Sequence, residues 1–285
     1  MAKERPEEMM HEPRHQDDYS ARQVEAARRV LIDLGQVLAS YVDCLVVIGG
    51  WVPDLLLPSA EEPHIGSIDV DIALDARRLQ DGRYADMLKL LLENKRYRHG
   101  VKDFQFIVEV DLQDGGTLIE VEVEFLADKE VKLKRRTKKM LEGFRVLQAD
   151  ACGVAFHAPV SLPLTGKSVR GAKNTVCLRV ASLADFMVMK AHAIAGRDKP
   201  KDSYDLCYCL ENSPAGIEGL AHDWQQRLDD QVVKRAVEIL RAKFASVADF
   251  GPQQVVEFHA AQDLETQAMQ ARRAYELVRR FLELL

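Results

Sequence analysis

Two hydrophobic rhythms alternate along the chain. Behind Ser20, a residue suited to cap a first turn, Val24, Ala27, Val30, Leu31, Leu34 and Leu38 recur at helical spacing. Cys44–Ile48 is a short apolar run that predicts a buried strand and ends in Gly49-Gly50. Pro58 and Pro63 bracket a loop, and Ser67–Leu74 reads as a second strand. Helical spacing returns from Tyr84 to Leu92. Phe104–Val110 and Leu118–Leu126 predict two more strands around Asp114-Gly115-Gly116, a hairpin signal. Apolar runs at Val154–His157 and Thr175–Val180 read as further strands, with Pro159, Pro163, Gly166 and Gly171 marking loops. From Ser182 onward the rhythm is helical: Leu183 to Ala193, a second helix from near Asp202 to Leu210, then Gln231–Phe244 and Ala261–Leu285. The expected architecture is α+β, a mixed sheet with helices over 19–180 followed by a helical domain over 181–285.

Polar residues that interrupt these patterns are the candidates for chemistry. Asp69 and Asp71 stand two apart in a strand, so their side chains share one face. Adjacent like charges in an apolar strand are costly unless they face water or a cation neutralises them, and a divalent cation is the simplest counterion. Upstream, Gly49 and Gly50 free backbone N–H groups for close approach to a ligand. The segment Trp51–Leu57, with Pro53 in its first turn, can start a helix whose positive end faces an anion. The strand Ile119 to Phe125 alternates strictly, with Glu120, Glu122 and Glu124 on one face. Glu120 and Glu122 read as solvated. Glu124, followed by Phe125-Leu126, is the candidate third carboxylate, with Glu122 its competitor.

The chain has 285 residues, 47 % of them hydrophobic, enough for a real core and for two domains. A formal net charge of −6 excludes a general polyanion binder. A local exception is the run holding Lys132, Lys134, Arg135, Arg136, Lys138 and Lys139. Taken alone it reads as a solvated face; against an acidic background it is where RNA would dock. The five cysteines are scattered without paired spacing and read as reduced thiols. Residues 1–18 mix charges, histidines and prolines without an apolar segment. They are expected to be a disordered tail with no secretory signal, which points to the cytoplasm, and no apolar run is long enough for a membrane span.

Taken together, Ile48-Gly49-Gly50-Trp51, Ser67-Ile68-Asp69-Val70-Asp71 and Glu124-Phe125-Leu126 resemble the signature of the nucleotidyltransferase (polymerase beta-like) fold. The stretch from Lys190 through Arg197-Asp198-Lys199-Pro200-Lys201-Asp202 to Asp205-Leu206 resembles the lysine and K-D-x-x-D-L motifs of the AbiEii/AbiGii-like toxin branch. The resemblance covers roughly Val46 to Leu210. It implies a Mg²⁺-dependent (or Mn²⁺-dependent) enzyme that uses a nucleoside triphosphate, with RNA such as a tRNA end as acceptor. It also implies toxin or phage-defence biology and a cognate antitoxin. By the same resemblance Gly49 and Gly50 cradle phosphates, Asp69, Asp71 and Glu124 hold metal, Lys190 contacts nucleotide phosphates and Asp202 completes the site. From the residues alone, Lys190 reads better as a solvated lysine and Asp202 equally well as a helix cap; Arg197, Lys199 and Lys201 read as surface charges, and His64 as a weak candidate. The pattern departs at Trp51, where a small hydroxyl residue is usual, at Ile65, where a basic one is, and at Glu124, where aspartate is commoner. Two alternatives remain open: transfer to a small hydroxylated molecule, as in aminoglycoside nucleotidyltransferases, and a non-catalytic module with a decayed site.

Overall fold

The computed structural model describes residues 12–75, 77–79, 83–100, 102, 105–128, 147–149 and 151–285. Two short apolar strands, β1 (Leu45–Ile48) and β2 (Val70–Leu74), form an antiparallel pair at the middle of the sheet. Their burial fits their β-branched content, since a central strand is covered on both faces. Around them run β3 (Tyr97–His99), β4 (Gln105–Val110), β5 (Ile119–Asp128), β6 (Leu147–Ala149), β7 (Val160–Lys167) and β8 (Lys173–Val180). The strand order is β3-β4-β5-β2-β1-β8-β7, with β6 pairing the far end of β5. The β1–β8, β2–β5 and β5–β6 pairs are parallel and the rest antiparallel, which makes the sheet mixed.

Register does the positioning. β1 sets Ile48 opposite Asp71, and β2 sets Asp71 opposite Glu124. On β5 the valines, Phe125 and Ala127 are buried, Glu120 is exposed, and Glu122 and Glu124 are half-buried.

Helix α1 (Ala21–Val37) lies along the sheet against β2, β4, β5, β7 and β8. Ser20 caps it, its hydroxyl accepting from the Gln23 N–H while the Gln23 side chain reaches back. After the glycine pair comes α2 (Trp51–Leu56), and α3 (Arg83–Glu93) precedes the β3–β4 edge. The C-terminal part holds α4 (Leu183–Gly196), α5 (Pro200–Asn212), α6 (Gly216–Gln225), α7 (Gln231–Lys243), α8 (Phe250–His259) and α9 (Leu264–Glu283). Both α4 and α5 pack on α2, so the helices dock where the glycine turn ends. Trp51, Phe125, Phe186 and Met187 are fully buried. No helix among the described residues is long and apolar enough to cross a membrane.

Several local expectations change. The run Val154–His157 is a 3-10 turn, Cys152–Phe156, buried against α4 and β5 rather than a strand. A short buried apolar run carries no periodicity that separates the two. Pro163 and Gly166, read as loop markers, lie inside β7. β7 is an edge strand, where a missing N–H costs no ladder. Helices α6 and α8 were hidden by Gly216, Gly219, Gly251 and Pro252 near their starts. Residues 12–18, expected within a disordered tail, fold back on α8 and include a 3-10 turn at Gln16–Asp18.

Candidate functional site

Asp71 is the centre of the site. Gly49, one residue past β1, has φ 69°, and a Cβ built on it would lie 2.3 Å from Asp71 Oδ2. Only glycine fits there, for both backbone and contact reasons. Gly50 has an ordinary φ of −64°, but its missing side chain makes room for the Lys201 ammonium and the Ser67 hydroxyl. The glycine pair therefore admits a carboxylate and an ammonium. The expected helix-end cradle is less developed, since α2 is a six-residue helix.

Asp69 lies just before β2 rather than within it. Its carboxylate accepts from Ser67 Oγ at 2.5 Å, and its backbone carbonyl accepts from Trp51 Nε1 at 2.7 Å. Trp51 is 1 % exposed. The residue that departs from the family pattern is thus the one that holds the Asp69 backbone in place. Glu124 accepts from Gln105 Nε2 at 3.3 Å and lies 3.5 Å from the Lys102 ammonium.

These groups are electrostatically crowded. Burial, then the charges of Asp69 and Glu124, push the Asp71 carboxyl up to about 7. Burial also disfavours the Asp69 charge, yet Lys199, the Ser67 hydroxyl and Lys201 hold it below the usual range. Glu122 is raised by burial and by Glu124. Among the described residues, no three His, Cys, Asp or Glu side chains converge tightly enough to hold a cation unaided. The donor set still fits a hard divalent ion. Mg²⁺ commonly takes one or two carboxylates and fills its other positions with water and substrate phosphate.

A cation-rich cluster lies behind Gly50. On α5, Lys201 and Asp205 are four residues apart and Asp202 and Asp205 three apart, so all three share a face. The Lys190 ammonium, on α4, is 2.7 Å from both Asp202 Oδ1 and Asp205 Oδ2, and Lys201 is 2.7 Å from Asp205 Oδ1. Arg197 grips Asp202 with two hydrogen bonds of 2.7 and 2.9 Å. Burial alone would raise Asp202, but Lys190 and Arg197 hold it down at about 2. Asp205 is likewise held well below its usual range by Lys190 and Lys201. Burial and the neighbouring Lys201 lower His64 to about 4, so its ring is neutral near pH 7. Nε2–H then donates to Asp205 at 2.9 Å, and Nδ1 accepts from the Gly66 N–H at 3.1 Å. His64 thereby ties α5 to the loop that leads into Asp69.

Of the residues singled out in the sequence, Gly49, Gly50, Asp69, Asp71 and Glu124 come together. Lys190 and Asp202 join them through Asp205, Lys201 and Gly50. Asp202 does not cap α5; that position is Lys199, and the Asp202 carboxylate serves the two cations instead. Lys190 has both neighbouring carboxylates as partners. Lys199 and Arg197 are the cations whose charge bears most on Asp71. Lys201, read from sequence as a surface charge, is only 3 % exposed because α5 packs it against Gly50, and Asp205, given no role of its own, is 0 % exposed; their i,i+4 spacing was a usable signal. Lys132, Lys134, Arg135, Arg136, Lys138 and Lys139 lie outside the described residues.

A family sequence model for the nucleotidyl transferase AbiEii toxin, of type IV toxin–antitoxin systems, matches residues 66–283. The chain belongs to the AbiEii family. No curated protein matches it. The AbiEii match begins at Gly66 and so contains Asp69, Asp71, Glu124, Lys190 and the α5 motif. Gly49, Gly50, Trp51 and the N-terminal segment fall outside it.

Proposed function

We propose that the protein is a Mg²⁺-dependent nucleotidyltransferase that moves a nucleotidyl group from a nucleoside triphosphate to an acceptor hydroxyl on RNA, with a tRNA end the favoured acceptor. The observation that carries this reading is the pairing of Asp71 with Glu124 on adjacent strands, with Gly49, just past β1, closing on Asp71 and Lys201 against Gly50. Asp69, Asp71 and Glu124 would hold the cation. When bound, it offsets charge on the phosphoryl oxygens and orients the attacking and leaving groups.

The chain's own residues do the rest. Glu124, half-buried and beside Asp71, would accept the proton of the incoming hydroxyl. Lys199, whose charge reaches both Asp69 and Asp71, and Arg197, whose charge reaches Asp71, would meet the triphosphate. Lys190, saturated by Asp202 and Asp205, organises α5 instead of binding phosphate. Trp51 supports an active site rather than a decayed one, since its N–H fixes Asp69. The basic run from Lys132 to Lys139 is the reason to favour RNA over a small acceptor. The family's biology makes a cognate antitoxin the expected partner.

The test is label transfer. Purified protein is incubated with Mg²⁺, each α-labelled nucleoside triphosphate and either total RNA or a panel of aminoglycosides, beside Asp71→Ala, Glu124→Gln and Glu122→Gln. Expected is labelled RNA from the wild type and Glu122→Gln alone. Labelled RNA from Asp71→Ala would refute the reading, and label on aminoglycosides but not RNA would move it to the small-molecule alternative.

A further inference from the structure

The N-terminal segment lies outside the AbiEii match, yet it is fastened to the loop that the α5 motif supplies. Arg14 is the clasp. Its Nε donates to Glu257 Oε1 on α8 at 2.7 Å. The same guanidinium donates to the Asp198 backbone carbonyl at 3.2 Å and to Asp198 Oδ1 at 3.1 Å. The clasp is itself built. The Asp18 carboxylate accepts the N–H groups of Arg14 and His15, both at 2.8 Å. His15 Nδ1–H donates to the Glu257 carbonyl at 2.9 Å, and Gln16 meets His259 at 3.2 Å. Tyr19 closes the segment, buried beside Phe258 with the Lys201 ammonium 5.5 Å from its ring centroid.

Asp198 stands between Arg197 and Lys199 in the short joint from α4 to α5. Its side chain is 61 % exposed and pairs with Arg14. Arg197 is anchored to Asp202 on the α5 side. On the Asp198 side, the joint is tied by Arg14, which spans to Glu257 on a different helix. An exposed pair of this kind contributes little to global stability. Its consequence is local: it removes conformational freedom from a polar loop that has no apolar surface of its own.

We propose that Arg14 is a positioning residue for the nucleotide site, tying Asp198 to Glu257 so that Arg197 and Lys199 are held ready for a polyphosphate. The inference rests on the reading that this site takes a nucleoside triphosphate. The opposite role is also testable, because Glu12 lies 4.0 Å from Lys199 and a segment acting as a lid would compete with the ligand.

The experiment titrates Mg²⁺–tripolyphosphate, a probe independent of base and acceptor, into the full-length wild type, Arg14→Ala, Arg14→Lys, Glu257→Gln and the Arg14→Ala/Glu257→Gln double variant. Arg14→Ala releases about one residue's worth of backbone ordering and should weaken binding about tenfold. Arg14→Lys should not restore it, because one ammonium cannot span both partners as the guanidinium fork does. Glu257→Gln should weaken binding in the same direction, and the double variant should be no worse than Arg14→Ala. Melting temperatures should stay close to wild type, while amide exchange over 196–201 speeds up in Arg14→Ala. Unchanged binding by Arg14→Ala overturns the proposal, as does additive behaviour of the pair. Tighter binding by Arg14→Ala overturns it in favour of a lid. If the wild type binds no tripolyphosphate and incorporates no labelled nucleotide, the nucleotide reading has failed and takes this inference with it.

Discussion

Replacing Gly49 by alanine separates the observed role of the glycine pair from the one its sequence suggests. The new Cβ would sit 2.3 Å from Asp71 Oδ2, well inside the 3.0–3.4 Å range that real contacts barely reach, so the carboxylate must move by about 1 Å. A displacement of that size at a reacting centre costs roughly a hundredfold in rate. The backbone adds its own cost, because φ is 69° and an L-residue there loses about 1–2 kcal/mol. The melting temperature should therefore fall by only a few degrees. Gly50→Ala is the control. Its φ of −64° is ordinary, and its Cβ meets first the end of the Lys201 side chain, so its rate loss should be about tenfold smaller. A phosphate cradle would weight the two glycines equally. The assay is initial-rate transfer of α-labelled nucleotide to RNA at saturating Mg²⁺, beside a thermal melt. Activity of Gly49→Ala within about threefold of wild type, or greater damage from Gly50→Ala, would refute the reasoning.

Three further outcomes follow from the site. Asp71 titrates near 7 in the folded protein against an ordinary 3.8, so its contribution to stability is complete below 3.8 and is lost as pH rises through about 7. In chelator, the melting temperature of the wild type relative to Asp71→Asn should fall across that window, and Mg²⁺ should restore it increasingly toward high pH; parallel curves would contradict the crowded-carboxylate picture. Asp205→Asn leaves the buried Lys190 and Lys201 short of a counter-charge, which costs about 3–5 kcal/mol and should lower the melting temperature by roughly 10 °C. A melt within a degree or two of wild type would mean the network is not formed. Trp51→Phe keeps the buried ring but removes the N–H that holds the Asp69 carbonyl, so half-maximal activity should need about tenfold more Mg²⁺. An unchanged Mg²⁺ titration would reduce Trp51 to a space-filling role.

Much of this molecule was legible in local pattern. The helical spacing behind Ser20, the β-branched run before Gly49 and the alternation around Glu122 each depend on neighbours a few residues away, and each forms as expected. The paired aspartates and the lysine–aspartate motif were also visible, because chemistry of that kind is written in residue type and spacing. Tertiary structure decided everything that joins distant parts. Glu124 rather than Glu122 lies opposite Asp71 because strand register places it there, and no single strand encodes its register with a neighbour. Gly49 is required by a carboxylate more than twenty positions downstream. Lys201 looked like a surface charge until α5 packed on α2 and buried it against Gly50. Residues 12–18 carry almost no apolar signal, and what orders them is a set of charged contacts to Asp198 and Glu257. Local sequence determines which segments can be helices, strands or carriers of charge. Which charges meet, and which backbone must yield to them, follows only when those segments pack.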